Sequence, residues 1–103
     1  MEWKKETYDI LLFKDGQFYI ETVEGQTTEL NGGKLGIHKS EPSVWKITDL
    51  ATGSFVFCDA TRKAARQWVE DYREVVEKFF TSEKYKERLE GARQCQKRAI
   101  RLK

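Results

Sequence analysis

The segment YDILLFKDGQFYIETV, residues 8–23, constrains the fold more than any other part of the chain. Asp15-Gly16 separates two β-rich runs. A two-residue turn of this composition takes positive φ at both positions, which matches the right-handed twist of the flanking strands. The runs are therefore expected to close as an antiparallel hairpin. In that register Leu11 faces Ile20 and Phe13 faces Phe18 on one side. Leu12, Tyr19, Ile10 and Glu21 share the other. Neither side is purely polar, so one is expected to be core and the other partly covered.

Asn31-Gly32-Gly33 is a second turn signal, between TTEL and KLGIHK. These runs are short and interrupted by glycine, so they read as a weak hairpin or an irregular loop. The single proline, Pro42, precedes a third hairpin, SVWKITDL-ATG-SFVFCD. A three-residue loop ending in Gly53 fits a type I turn closed by a left-handed residue. Trp45, Ile47, Phe55 and Phe57 then fall on one face, the expected core face, and Lys46, Thr48, Val56 and Cys58 on the other.

The period then changes. Thr61 can cap a helix start. Ala65, Trp68, Val69, Tyr72, Val75, Val76, Phe79 and Phe80 recur at three- and four-residue spacing, a wide apolar stripe suited to burial on a sheet. TSE at 81–83 reads as a stop and a new cap. A second helix follows, with a thin stripe of Tyr85, Leu89, Ala92, Cys95, Ala99 and Leu102. Gly91 weakens it by about 1 kcal/mol relative to alanine, so it is expected to pack loosely or project. Strands first and helices last predict an α+β domain: an antiparallel sheet of hairpins, one long amphipathic helix on it, and a basic C-terminal helix. At 103 residues the chain reads as one domain, with a β-rich part at 1–60 and a helical part at 61–103.

Several function classes lack their residues. No apolar run approaches the ~20 residues of a membrane span, and MEWKKETYD lacks the apolar core of a signal peptide, so the expected compartment is the cytoplasm. Cys58 and Cys95 are then expected to be reduced. With His38 as the one histidine, a closed zinc site would need carboxylates to complete it, and no metal or cofactor is expected. His38 lies in the glycine-flanked stretch GIHKS and reads as a surface or hydrogen-bonding group. No nucleophile–base pair or carboxylate pair is identifiable, and NGGKLG lacks the spacing of a phosphate loop. A non-enzymatic protein is expected.

Charge is distributed unevenly. Residues 1–60 hold six Lys and ten acidic residues, net −4, whereas residues 83–103 hold eight basic and three acidic residues, net +5. Arg62, Lys63 and Arg66 lie at a helix start, where backbone N–H groups already favour anions. They could hold a phosphate or carboxylate there, or splay into water toward Asp59 and Glu70. Arg93, Lys97, Arg98, Arg101 and Lys103 form a second basic cluster along the last helix, more cations than relief of a helix dipole requires. These eight cations are the candidate binding residues, for nucleic acid or an acidic protein face. The last helix's thin stripe could also pair with a second copy. The strand aromatics read as core, and Trp3 as a residue folded onto the sheet or an exposed contact.

The pattern W-x-I-T-D-x-x-T-G, starting at Trp45, is followed after a short strand by T-R-K-x-A, starting at Thr61. It resembles the hairpin-then-helix ending of small phage and prophage proteins. It is similar, more distantly, to the arm-type DNA-binding domain of tyrosine recombinases, though SFVFCDA carries none of the cations usual in that family's strand. The phage-like resemblance implies a small accessory protein acting by stoichiometric binding, as anti-CRISPR inhibitors do to a host protein that handles nucleic acid. The alternative is direct DNA or RNA binding by the two basic clusters.

Overall fold

The computed structural model describes residues 1–102. Five strands, β1 (Lys4–Lys14), β2 (Gln17–Leu30), β3 (Gly33–Glu41), β4 (Val44–Asp49) and β5 (Ser54–Asp59), precede three helices, α1 (Arg62–Asp71), α2 (Arg73–Phe80) and α3 (Glu83–Arg98). A two-residue strand, β6 (Ile100–Arg101), follows them. The α+β class is as the residue pattern requires. The five strands form an antiparallel meander in chain order.

The first hairpin closes as expected. Asp15 and Gly16 have φ of 51° and 77°, and Leu11 pairs with Ile20 and Phe13 with Phe18. The second is a regular ladder rather than a loop, with Gln26 to Leu30 paired to Ile37 to Gly33. Its glycines are spaces that other side chains occupy. A Cβ on Gly36 would lie 2.5 Å from the Tyr8 ring, and one on Gly33 2.5 Å from the Phe80 ring. Aromatic rings thus occupy the space over bare backbone at both glycines of β3. The sheet also curls, because the Leu11 N–H donates to the Gly53 carbonyl at 2.8 Å and ties β1 to the β4–β5 turn.

The third hairpin departs from strict alternation. A bulge sets Ile47 opposite Phe57 but Thr48 opposite Phe55. One extra residue on a strand reverses the faces beyond it. Val56 accordingly packs against the core, and Phe55, expected inside, is 59% exposed.

Thr61 caps α1, its hydroxyl accepting from the Ala64 N–H at 3.1 Å. The stripe expected as one long helix is two, because Tyr72 leaves helical geometry at φ −107° and ψ 15°. The break re-aims the stripe. Ala65 and Val69 of α1 are fully buried, and Phe80 of α2 is buried on Gly33 and beside Tyr85. Leu30, Leu35, Ile37 and Ile47 complete this core from the sheet. Trp3 folds onto its edge.

Helix α3 docks rather than projects. Ser82 caps it, accepting from the Tyr85 N–H at 3.2 Å, and Tyr85 and Ala92 are buried. It ends at Arg98 rather than continuing to Leu102. Ala99 is extended, and β6 runs parallel to β2, with the Leu102 N–H donating to the Ile20 carbonyl at 2.8 Å. No helix among the described residues is long and apolar enough to cross a membrane.

Candidate functional site

The structure does not gather the seven described candidate cations into one patch. The Arg62 guanidinium lies over the Trp45 ring, 5.4 Å from its centroid. That of Arg66 lies over Trp3 at 5.6 Å and donates to Gln26 Oε1. Burial, then Arg62, lowers the Arg66 pKa, and its Nε has no hydrogen-bond partner. Cations stand at this helix start because two tryptophan faces attract them. Lys63 is exposed beside them.

At the other end, Arg101 belongs to β6, not to the basic helix. Its Nη1 and Nη2 donate to Asp9 Oδ1 and Oδ2 at 3.3 and 3.1 Å, and Nη1 also donates to Thr22 Oγ1. Hydrogen bonding from Arg101, then from Thr22, holds the Asp9 carboxyl below its ordinary range. The fork fastens the tail to β1 and β2. Arg93 lies 3.7 Å from Glu90, whereas Lys97 and Arg98 make no ion pair among the described residues. Lys103 lies outside the described residues.

His38 is not in a loop. It is buried on β3 with its cross-strand partner Lys46, and the Tyr8 hydroxyl is 3.3 Å from Nδ1. With Tyr8 donating, the neutral ring carries its proton on Nε2. Burial, then the nearby Lys46 charge, lowers the His38 pKa, while Glu21 opposes them. Burial raises that of Tyr8. Below its ordinary pKa of 6.5, the unfolded imidazole binds a proton that the folded one resists. This stability is present above pH 6.5 and is lost as pH falls toward the lower folded value. His38→Gln should flatten the dependence of urea-unfolding free energy on pH across that window. An unchanged slope would place the titration elsewhere.

A large opening lies on the helical side of the sheet, a cavity of about 620 Å³ between β5, α2 and α3. Its origin is mechanical. Helix α3 is tied down near its start, where the Tyr85 hydroxyl donates to Asp49 Oδ2 at 2.8 Å. It is tied again near its end, where Gln96 Nε2 donates to the Ala51 and Thr52 carbonyls. Between these ties Ala92 and Val56 are too small to fill the gap. Leu35, Val76, Phe79 and Phe80 form apolar walls, and Asp49, 5% exposed, lies at the floor. Thr52 Oγ1 and the Ala51 N–H also donate to that carboxylate. Burial, then the bond to Asp49, raises the Tyr85 pKa.

An aromatic ridge runs beside the opening. Phe57 stacks on Trp68 with centroids 4.6 Å apart, and Trp68 packs on Tyr72 at 5.2 Å. Phe55, Tyr72 and Val75 are 59, 49 and 64% exposed. Strand β5 pairs only with β4 among the described residues, so its outer edge has no strand partner, although β1 approaches its start through the Leu11–Gly53 bond. The sequence reading missed this surface. Two signals were available: Ser54–Cys58 lacks any charge, and Arg88 shares one helical face with Tyr85, Ala92 and Cys95. Among the described residues no group of three or more His, Cys, Asp or Glu side chains converges on a metal site. Comparison with known proteins returned no matching family model, no similar curated protein and no similar solved structure.

Proposed function

We propose that this chain is a non-enzymatic binding protein that associates stoichiometrically with a protein partner along the free edge of β5. The observation that carries the reading is an uncharged edge strand, Ser54–Cys58, that exposes Phe55 and lies beside exposed Tyr72 and Val75. Edge strands are ordinarily blunted by lysine, proline or a covering element, because unpaired N–H and C=O groups recruit other chains. Aromatic anchors beside such an edge are what protein interfaces use for most of their binding energy. The phage-like hairpin–helix pattern supplies the partner class, a host protein that handles nucleic acid, such as a CRISPR effector.

Direct nucleic-acid binding is the second reading, supported by Lys97 and Arg98 on α3, which make no ion pair among the described residues. It ranks lower because Arg62, Arg66 and Arg101 are engaged with tryptophan rings and Asp9. One experiment separates the two. The purified protein is passed with a panel of CRISPR effectors over a sizing column, with and without nuclease, and cleavage is assayed. A nuclease-resistant, equimolar complex with inhibited cleavage is expected. Phe55→Asp should weaken it about thirtyfold or more, the effect of losing an interface anchor. Normal cleavage and separate elution across the panel would remove the proposal.

A further inference from the structure

We propose that the cavity between β5, α2 and α3 binds an amphipathic monoanion, with an apolar tail inside and a carboxylate at Arg88. The volume of about 620 Å³ lies within the range of roughly 300–1,000 Å³ typical of small-ligand sites. Its walls are aliphatic and aromatic, which suits a tail. Its charges determine which way the ligand enters. Asp49 is the one carboxylate on the lining and Arg88 the one cation. Asp49 is buried at the floor and already accepts from Tyr85, Thr52 and Ala51. An anionic head is therefore repelled from the floor and a tail is not.

Arg88 is exposed at the rim, 5.4 Å from the Phe79 centroid, and makes no ion pair with a carboxylate among the described residues. Stacking on Phe79 holds the guanidinium over the entrance while leaving its N–H donors free for a carboxylate. A cationic head meets repulsion at the same place, and a neutral head forgoes the charge-assisted bonds. The site therefore selects a medium-chain fatty acid or a related apolar carboxylate. It reaches beyond the protein-binding reading, because the tail occupies the interior, whereas Phe55 and Val75 line the mouth and also face outward along β5.

Titration calorimetry with octanoate, decanoate and dodecanoate, below their micelle concentrations, tests the proposal. Saturable binding with one ligand per chain is expected, tightening by up to about fourfold per added methylene. Arg88→Glu, an exposed change that leaves the core intact, should weaken decanoate binding about tenfold or more. Ala92→Phe should fill the space and abolish binding, with circular dichroism confirming the fold. The parent chain should bind decyltrimethylammonium and a neutral valine-rich pentapeptide at least tenfold more weakly than decanoate. Absence of saturable carboxylate binding overturns the site. Equal binding of the ammonium overturns the role of Arg88, and tighter binding of the pentapeptide makes the groove a peptide site instead. Because Phe55 lines the cavity mouth, Tyr72→Asp, outside the lining, read in the partner assay and Arg88→Glu read with decanoate keep failure of this site distinct from failure of the interface.

Discussion

Asp49→Ala should lower the unfolding free energy by roughly 2–5 kcal/mol, because it strands two hydroxyls at once. The Tyr85 hydroxyl and Thr52 Oγ1 both donate to Asp49 Oδ2, at 2.8 and 2.9 Å, and neither Tyr85 nor Thr52 is more than 3% exposed. A buried donor left without a partner costs about 1–3 kcal/mol. Tyr85→Phe removes one donor together with its need, so it should cost less than Asp49→Ala. A double-mutant cycle in urea measures the coupling, expected at about 0.5–3 kcal/mol for residues in direct contact. Additive effects would show that α3 is held by its apolar side alone. The same contact ties α3 to the sheet beside the cavity, so weakening it should also alter the ligand site.

Leu35→Ala should be as damaging for a different reason. Leu35 is 0% exposed and belongs to the core formed by Ile37, Ile47, Val69 and Phe80. Removing a buried leucine side chain costs about 2–5 kcal/mol in lost transfer energy and residual cavity. A domain of this size has about 5–15 kcal/mol in all. The midpoint of thermal unfolding should fall by about 8–40 °C, at about 4–8 °C per kcal/mol. Phe55→Ala is the control. Phe55 is larger, yet it is 59% exposed and should change stability by no more than about 0.5 kcal/mol. A Phe55 variant as destabilised as Leu35→Ala would mean that β5 is covered in solution.

These contrasts mark where sequence reading succeeds. The Asp15-Gly16 turn dictated its register because its chemistry lies in two adjacent residues. The Thr61 cap and the apolar spacing of 65–80 were equally local. The reading failed where a distant side chain decided the outcome. KLGIHK looked weak because it is short and interrupted by Gly36, but the Tyr8 ring from β1 fills the space that glycine leaves. Phe55 was placed inside because one bulge between Ile47 and Thr48 is invisible in a strict alternation. Arg101 looked helical, but its fork to Asp9 across 92 residues holds it in a strand.

The candidate site divides in the same way. Composition and charge pattern identified the cations but not their partners. Arg62 and Arg66 were legible as cations at a helix start, whereas Trp45 and Trp3 beneath them come from other parts of the chain. The cavity was not legible at all, because it is a space left between α3's two ties to the sheet.

Sequence alone determined that strands precede helices, the first hairpin's register and the starts of α1 and α3, because turns, caps and periodicity act over a few residues. Tertiary structure decided which strand edge stays free, which aromatics face water and where the apolar cavity opens. Those outcomes depend on volume and contact between segments tens of residues apart, which no local pattern encodes.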